Sequence, residues 1–188
     1  SSFVWADENN NINENSNFDD KLAHADSIRS SHPKDFSLLV NELNQHADQT
    51  TESQQYTLDY LNLYLLMYQG KLTEAVDSAN TLINSDAADL LKFRAKLGLL
   101  NIFAANQNWT EGLSTLSSLL TELPLIHDKK LYSQALMIIA IFYNQLGQYD
   151  LSLSYANQAE LTSNEGRIQC FVKSEILQSS FKLKKLTP

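Results

Sequence analysis

From Phe18 onward, apolar residues recur at the three- and four-residue spacing of amphipathic helices, and strand-like alternation is almost absent. The 188 residues include only five Gly and three Pro, which leaves few turn formers for an all-β fold. We therefore predict an all-α chain of about nine helices. Their expected ranges are 19–31, 33–47, 52–69, 73–84, 87–106, 110–122, 129–146, 150–162 and 165–184.

Several residues mark helix ends. Pro33 suits a first helical turn, and Thr51-x-x-Gln54 has the pattern of a capping box. Gly70 and Gly147 stand where helices should end, because Gly adopts the left-handed C′ conformation without a Cβ clash. The single cysteine, Cys170, lies in an apolar helical pattern and is expected to be a small buried residue.

Residues 135–161, ALMIIAIFYNQLGQYDLSLSYANQAEL, resemble a tetratricopeptide repeat, which is a pair of antiparallel helices. The matching positions are Leu136, Ile139-Ala140, Tyr143, the turn Gly147-Gln148-Tyr149, and the small residues Ser152 and Ala159. Ala140 and Ser152 are expected to be small because the two helices cross there.

Two weaker copies precede this repeat, at residues 69–82 and 106–120. Their turn markers Leu72, Trp109 and Tyr149 are 37 and 40 residues apart, longer than the usual period of about 34. The resemblance implies a right-handed superhelical stack of divergent repeats over residues 19–188. The last helix resembles half of a further repeat, so we expect this domain to be truncated at its C-terminal end.

In tetratricopeptide arrays, the first helix of each pair lines a concave groove that binds a peptide, a protein or a small molecule. Tyr60, Tyr64 and Tyr68 are spaced at i, i+4 and i+8, so they share one helix face. Inter-repeat packing is the alternative role for that row. The residues expected to line the groove are Tyr60, Tyr64, Met67, Tyr68, Arg94, Leu97, Asn101, Gln134, Met137, Ile141 and Asn144.

The N-terminal stretch SSFVWADENN has the small-residue spacing of a signal-peptidase site, with Val4 and Ala6 before Asp7. Residues 1–18 are therefore interpreted as a signal-peptide remnant followed by a flexible leader, since the Asn-rich and acidic residues 7–17 cannot build a core. This interpretation predicts export to a bacterial periplasm. An N-terminal arm packed on the domain, or a cloning remnant, is the alternative.

Charge and motifs exclude several function classes. A net charge of −8 argues against nucleic acid as a partner. The chain has no phosphate-binding glycine loop, no zinc-protease motif and no nucleophile-elbow motif. We accordingly expect no catalytic residue, no metal site and no cofactor. No apolar run is long enough to cross a bilayer, so any membrane contact would come from a helix outside this sequence.

The export signal, the divergent helix pairs and the stretch EGRIQCFVKSEILQSSFKL together resemble the periplasmic sensor region of bacterial membrane-bound diguanylate cyclases of the GGDEF type. This resemblance implies a non-catalytic input domain, with cyclic di-GMP synthesis carried out elsewhere in the parent protein. The alternatives are a free-standing periplasmic or secreted adaptor that scaffolds envelope proteins, and a cytoplasmic repeat regulator.

The cleavage interpretation predicts where the mature chain begins. N-terminal sequencing of protein recovered from the native periplasm should give Asp7 as the first residue, because the peptidase would cut after Ala6. A mature protein that retains residues 3–5 would contradict this interpretation.

Overall fold

A computed structural model describes residues 6–162 and 166–183, and within these residues the chain is helical with no strand. The described residues form nine α-helices, which confirms the all-α prediction. They are α1 (Ala6–Ile28), α2 (Pro33–Asn44), α3 (Glu52–Tyr68), α4 (Leu72–Ile83), α5 (Asp89–Ala105), α6 (Trp109–Glu122), α7 (Lys129–Gln145), α8 (Tyr149–Thr162) and α9 (Gly166–Lys182). Short 3-10 turns follow α2 and α6, at Ala47–Gln49 and Leu123–Leu125.

Side chains cap two of these helices, and the cap of α3 is the one that its sequence predicts. At the start of α3, the Gln54 backbone N–H donates to the Thr51 hydroxyl, and the Gln54 side chain accepts from the Thr51 backbone N–H. This is the reciprocal pair of a capping box. At the start of α7, the carboxylate of Asp128 accepts from the Leu131 backbone N–H at 2.8 Å. Both caps satisfy donors that the first helical turn leaves unpaired.

The turns after α3, α5 and α7 share one backbone design. Each contains a residue with positive φ: Gly70 at 73°, Gln107 at 56° and Gly147 at 81°. In each turn, the following residue donates its backbone N–H to a carbonyl five positions earlier, with N–O distances of 3.0, 2.8 and 2.8 Å. This is the hydrogen bond of a Schellman turn. The repeat markers therefore follow equivalent turns.

The chain divides into two compact units, the first ending at Ala95 and the second beginning at Lys96 within α5. In the first unit, α3 packs against both α2 and α4, and α1 packs against α2 and α3. Its core contains fully buried residues of α2 and α3, namely Phe36, Val40, Leu58, Leu61 and Leu63.

In the second unit, α7 and α8 form the best-matching repeat, and α9 packs against both of them. Ala140 on α7 and Ser152 on α8 are completely buried, as expected for small residues where helices cross. Gly112 on α6 makes a similarly close approach: a Cβ atom there would come within 2.6 Å of the Phe142 ring.

Two expectations were wrong. Helix α1 begins at Ala6 rather than near residue 19, and the interpretation of residues 7–17 as a flexible leader stays a prediction. Cys170 is exposed rather than buried. It lies on the side of α9 opposite the buried residues Val172, Glu175 and Ser179.

Gln107 is a non-glycine residue in the left-handed conformation. We predict that Gln107→Gly raises the free energy of unfolding by about 1 kcal/mol, because glycine removes the Cβ clash of this conformation. Denaturant titration measures the change. Gln69→Gly is the matched control, because Gln69 has φ −80° and gains no such relief. If both variants stabilise the protein, or if neither does, the left-handed conformation of Gln107 is not a source of strain.

Candidate functional site

Two arginines and three tyrosines surround one carboxylate in the first unit. Helix α1 provides one of the residues, α3 provides three, α5 provides one, and the sixth directly follows α1. We call this group the arginine cluster; its members are Asp26, Arg29, Tyr60, Tyr64, Tyr68 and Arg94. Residues from distant parts of the sequence thus converge on one place.

The Asp26 carboxylate accepts hydrogen bonds from both guanidinium groups. Arg94 Nη2 lies 2.6 Å from Oδ1 and 2.7 Å from Oδ2. Arg29 Nη1 donates to the same Oδ1, and also to the Tyr60 hydroxyl oxygen at 2.6 Å. Charge-assisted hydrogen bonds of this kind are stronger than neutral ones. They join α1 to both α3 and α5.

Aromatic rings enclose the two guanidinium groups. Arg29 lies over the Tyr64 ring, 4.2 Å from its centroid, and Arg94 lies 4.3 Å from the centroid of Tyr60. The two tyrosine rings meet edge to face at 5.3 Å. The Tyr68 hydroxyl donates to the Arg29 backbone carbonyl at 2.7 Å. Cation–π contacts therefore hold both arginines in addition to the ion pairs.

Both arginines stay charged. Burial lowers the pKa of Arg29, but Tyr64, Tyr60 and Asp26 outweigh burial, so its pKa lies above the usual value. The pKa of Arg94 is also raised, because Tyr60 and Asp26 outweigh the effect of burial. Burial, followed by the neighbouring Tyr64, raises the pKa of Tyr60 well above its usual value. Tyr60 is therefore a neutral phenol at physiological pH.

Arg94 also lines an open pocket between the N-terminal parts of α3 and α5. The pocket has a volume of about 180 Å³ and is lined by Ser53, Tyr56, Thr57, Ala88, Leu90, Leu91 and Arg94. Arg94 is the charged residue in this lining. Near the pocket, the Tyr56 hydroxyl donates to the Glu52 carboxylate at 2.9 Å. The pocket thus joins a cationic group to aliphatic and hydroxyl-bearing surface.

The structure brings together four of the predicted groove residues of the first unit. Tyr60, Tyr64, Tyr68 and Arg94 belong to the arginine cluster, and Met67 is half-buried. Tyr60 is 1% exposed, so the expectation that it faces an open groove was wrong: its ring packs beneath Arg94. Tyr64 is half-buried and Tyr68 is 47% exposed. The row therefore runs from the core to the surface.

The predicted residues of the second unit have different surroundings. Leu97 is buried, so it offers no surface to a ligand. The Asn144 side chain donates to Glu175 and Ser179 on α9. The remaining predicted residues are half-buried: Asn101, Gln134, Met137 and Ile141. Their role in binding stays a prediction.

Sequence reasoning missed Asp26, which takes part in both ion pairs of the cluster, and Arg29, which takes part in one. Their i, i+3 spacing is a recognisable helix pair. That local signal places the two side chains beside each other but does not connect them to Tyr60 or Arg94. Only the packing of α1 in the first unit does so.

Within residues 6–162 and 166–183, no three His, Cys, Asp or Glu side chains gather in a way that could hold a metal ion. The same residues include no helix that is long and apolar enough to cross a membrane. Comparison with protein-family models, curated proteins and solved structures gave no match to the chain.

Tyr60→Phe removes a buried hydrogen-bond acceptor of Arg29 and keeps the ring. We expect it to lower the free energy of unfolding by about 1–3 kcal/mol, as for other hydrogen bonds to charged groups. Tyr56→Phe on the same helix is the control, with a much smaller expected loss, because its hydroxyl bonds to exposed Glu52. Equal losses in chemical denaturation would show that the Arg29 contact contributes little.

Proposed function

We propose that the chain is a non-catalytic, ligand-binding input domain of a bacterial signalling protein, located in the periplasm, whose output domain is a diguanylate cyclase of the GGDEF type. One observation supports this proposal above the others. Arg94 is charged, is held by Asp26 and Tyr60, and lines an open pocket. A fixed cation at the wall of a pocket is an arrangement suited to recognition of a ligand.

The chemistry of the arginine cluster favours binding over catalysis. A general acid or base needs a pKa near the working pH. Arg29, Arg94 and Tyr60 all have pKa values raised away from that range, so each keeps its proton. These groups can orient a ligand and neutralise its charge, but they do not transfer protons at neutral pH.

The cluster also gives a ligand a way to affect the fold of the first unit. Asp26 lies on α1 and Arg29 directly follows that helix, whereas Arg94 lies on α5, and the Asp26–Arg94 ion pair connects the two helices. A ligand that changes the contacts of Arg94 changes the free energy of holding α1 in place. A difference in affinity between two arrangements of α1 is what an input domain needs in order to signal.

The test uses the parent protein in its native host. Arg94→Gln should change intracellular cyclic di-GMP several-fold at equal protein abundance, because it disrupts both the ion pair and the pocket. Lys71→Gln is the matched control: Lys71 lies in the same unit, and its side chain is 52% exposed and paired only with exposed Glu74. We expect no change from this control.

Two results would contradict the proposal. If neither variant changes cyclic di-GMP, the cluster has no part in signalling. If the parent gene encodes no cyclase, the diguanylate-cyclase assignment is wrong, and the adaptor alternative is tested by capture of envelope proteins on the immobilised chain.

A further inference from the structure

The arginine cluster has an excess of positive charge. Two guanidinium groups, with side chains only 15% and 23% exposed, share the single carboxylate of Asp26. Among the described residues, Asp26 is the carboxylate whose charge raises the pKa of both Arg29 and Arg94. One positive charge is therefore left without a counter-ion in a partly buried place. Such a place attracts a second anion more strongly than an exposed lysine does.

Arg94 has donors to spare for that anion. Its hydrogen bonds to Asp26 use Nη2 only, so within the described residues Nη1 and Nε make no hydrogen bond. An arginine offers five N–H donors in a planar fork. Because Arg94 also lines the pocket between α3 and α5, an anion in the pocket has access to a charged residue.

The other residues that line the pocket indicate the chemical class of its ligand. Ala88, Leu90 and Leu91 give it an aliphatic side, and Leu90 is 48% exposed. Ser53, Tyr56 and Thr57 add hydroxyl-bearing residues. The pocket has a volume of about 180 Å³ and is open to solvent, which leaves room for a short chain.

We propose that this pocket binds a short aliphatic carboxylate, whose carboxylate group binds Arg94 and whose chain packs on Ala88, Leu90 and Leu91. This inference rests on the proposed function and names the ligand class of the same site. An inorganic anion would bind Arg94 but leave the leucines exposed, and a neutral chain would cover the leucines but leave the charge uncompensated. The charge interaction and the aliphatic packing together favour a carboxylate with a short chain over either of these ligands.

The test titrates the purified chain with sodium hexanoate, hexan-1-ol and sodium sulfate by calorimetry. Hexanoate should bind at least about tenfold more tightly than either of the others, because only hexanoate supplies both the charge and the chain. Arg94→Gln should weaken hexanoate binding by a similar factor. Lys92→Gln is the matched control, since Lys92 is a cation on the same helix outside the pocket lining, and it should leave the affinity unchanged.

Two further variants distinguish a loss of binding from a loss of folding. Leu90→Ser lies on a half-exposed position and should weaken hexanoate several-fold without affecting sulfate. Asp26→Asn removes the internal anion, so it should lower the melting temperature and raise hexanoate affinity. Added hexanoate should restore part of that stability. Asp35→Asn, at an exposed position in the first turn of α2, should show neither effect.

The outcomes separate the two proposals. Equal binding of hexanoate and hexanol, equal binding of hexanoate and sulfate, or no hexanoate binding at tens of millimolar would each overturn the carboxylate class. If cyclic di-GMP still depends on Arg94 in those cases, the input function stands with another ligand. If hexanoate binds through Arg94 but cyclic di-GMP in the parent protein does not depend on Arg94, the ligand class of the pocket is confirmed and the signalling function is wrong.

Discussion

The arrangement of the helices in the first unit depends most on the hydrogen bonds that the Asp26 carboxylate accepts. It accepts from Arg29, which directly follows α1, and from Arg94 on α5, while Arg29 also donates to Tyr60 on α3. Truncating one member of a partly buried ion network leaves the others unpaired, which costs more than the network itself contributes. We infer that this network specifies which helices meet, while the apolar residues around Leu58 and Leu61 supply most of the stabilisation.

In the second unit, a carboxylate also joins neighbouring helices, but its hydrogen-bond donors are neutral side chains. The side chain of Glu175 on α9 is 7% exposed and accepts from Asn144 and from the Ser152 hydroxyl, the latter at 2.9 Å. The Ser179 hydroxyl completes the group by donating to Ser152. A buried polar network of this kind is favourable only when its members are satisfied. The small residue at position 152 thus has two roles, because it allows close packing and supplies a hydroxyl to α9.

The fold was largely predictable because its signals are local. The left-handed turns at Gly70 and Gly147 and the capping box at Thr51 depend on a few neighbouring residues. Apart from the start of α1, the helix ends agree with their predicted positions to within a few residues. The site was only partly predictable. The spacing of the tyrosine row pointed to Tyr64, and the resemblance to tetratricopeptide repeats pointed to Arg94. Periodicity could not tell that Tyr60 would be covered by the arginines. Nor could it pair Asp26 with a residue on α5, because that contact depends on tertiary packing.

The arginine cluster leaves one positive charge that we propose a ligand carboxylate neutralises in the pocket between α3 and α5. A crystal structure of the chain with 6-bromohexanoate tests this proposal, because anomalous scattering locates the bromine independently of the protein atoms. We expect a carboxylate hydrogen-bonded to Arg94 and a bromine peak beside Leu90 and Leu91. A bromine peak elsewhere, or a carboxylate bound without contact to Arg94, would contradict it.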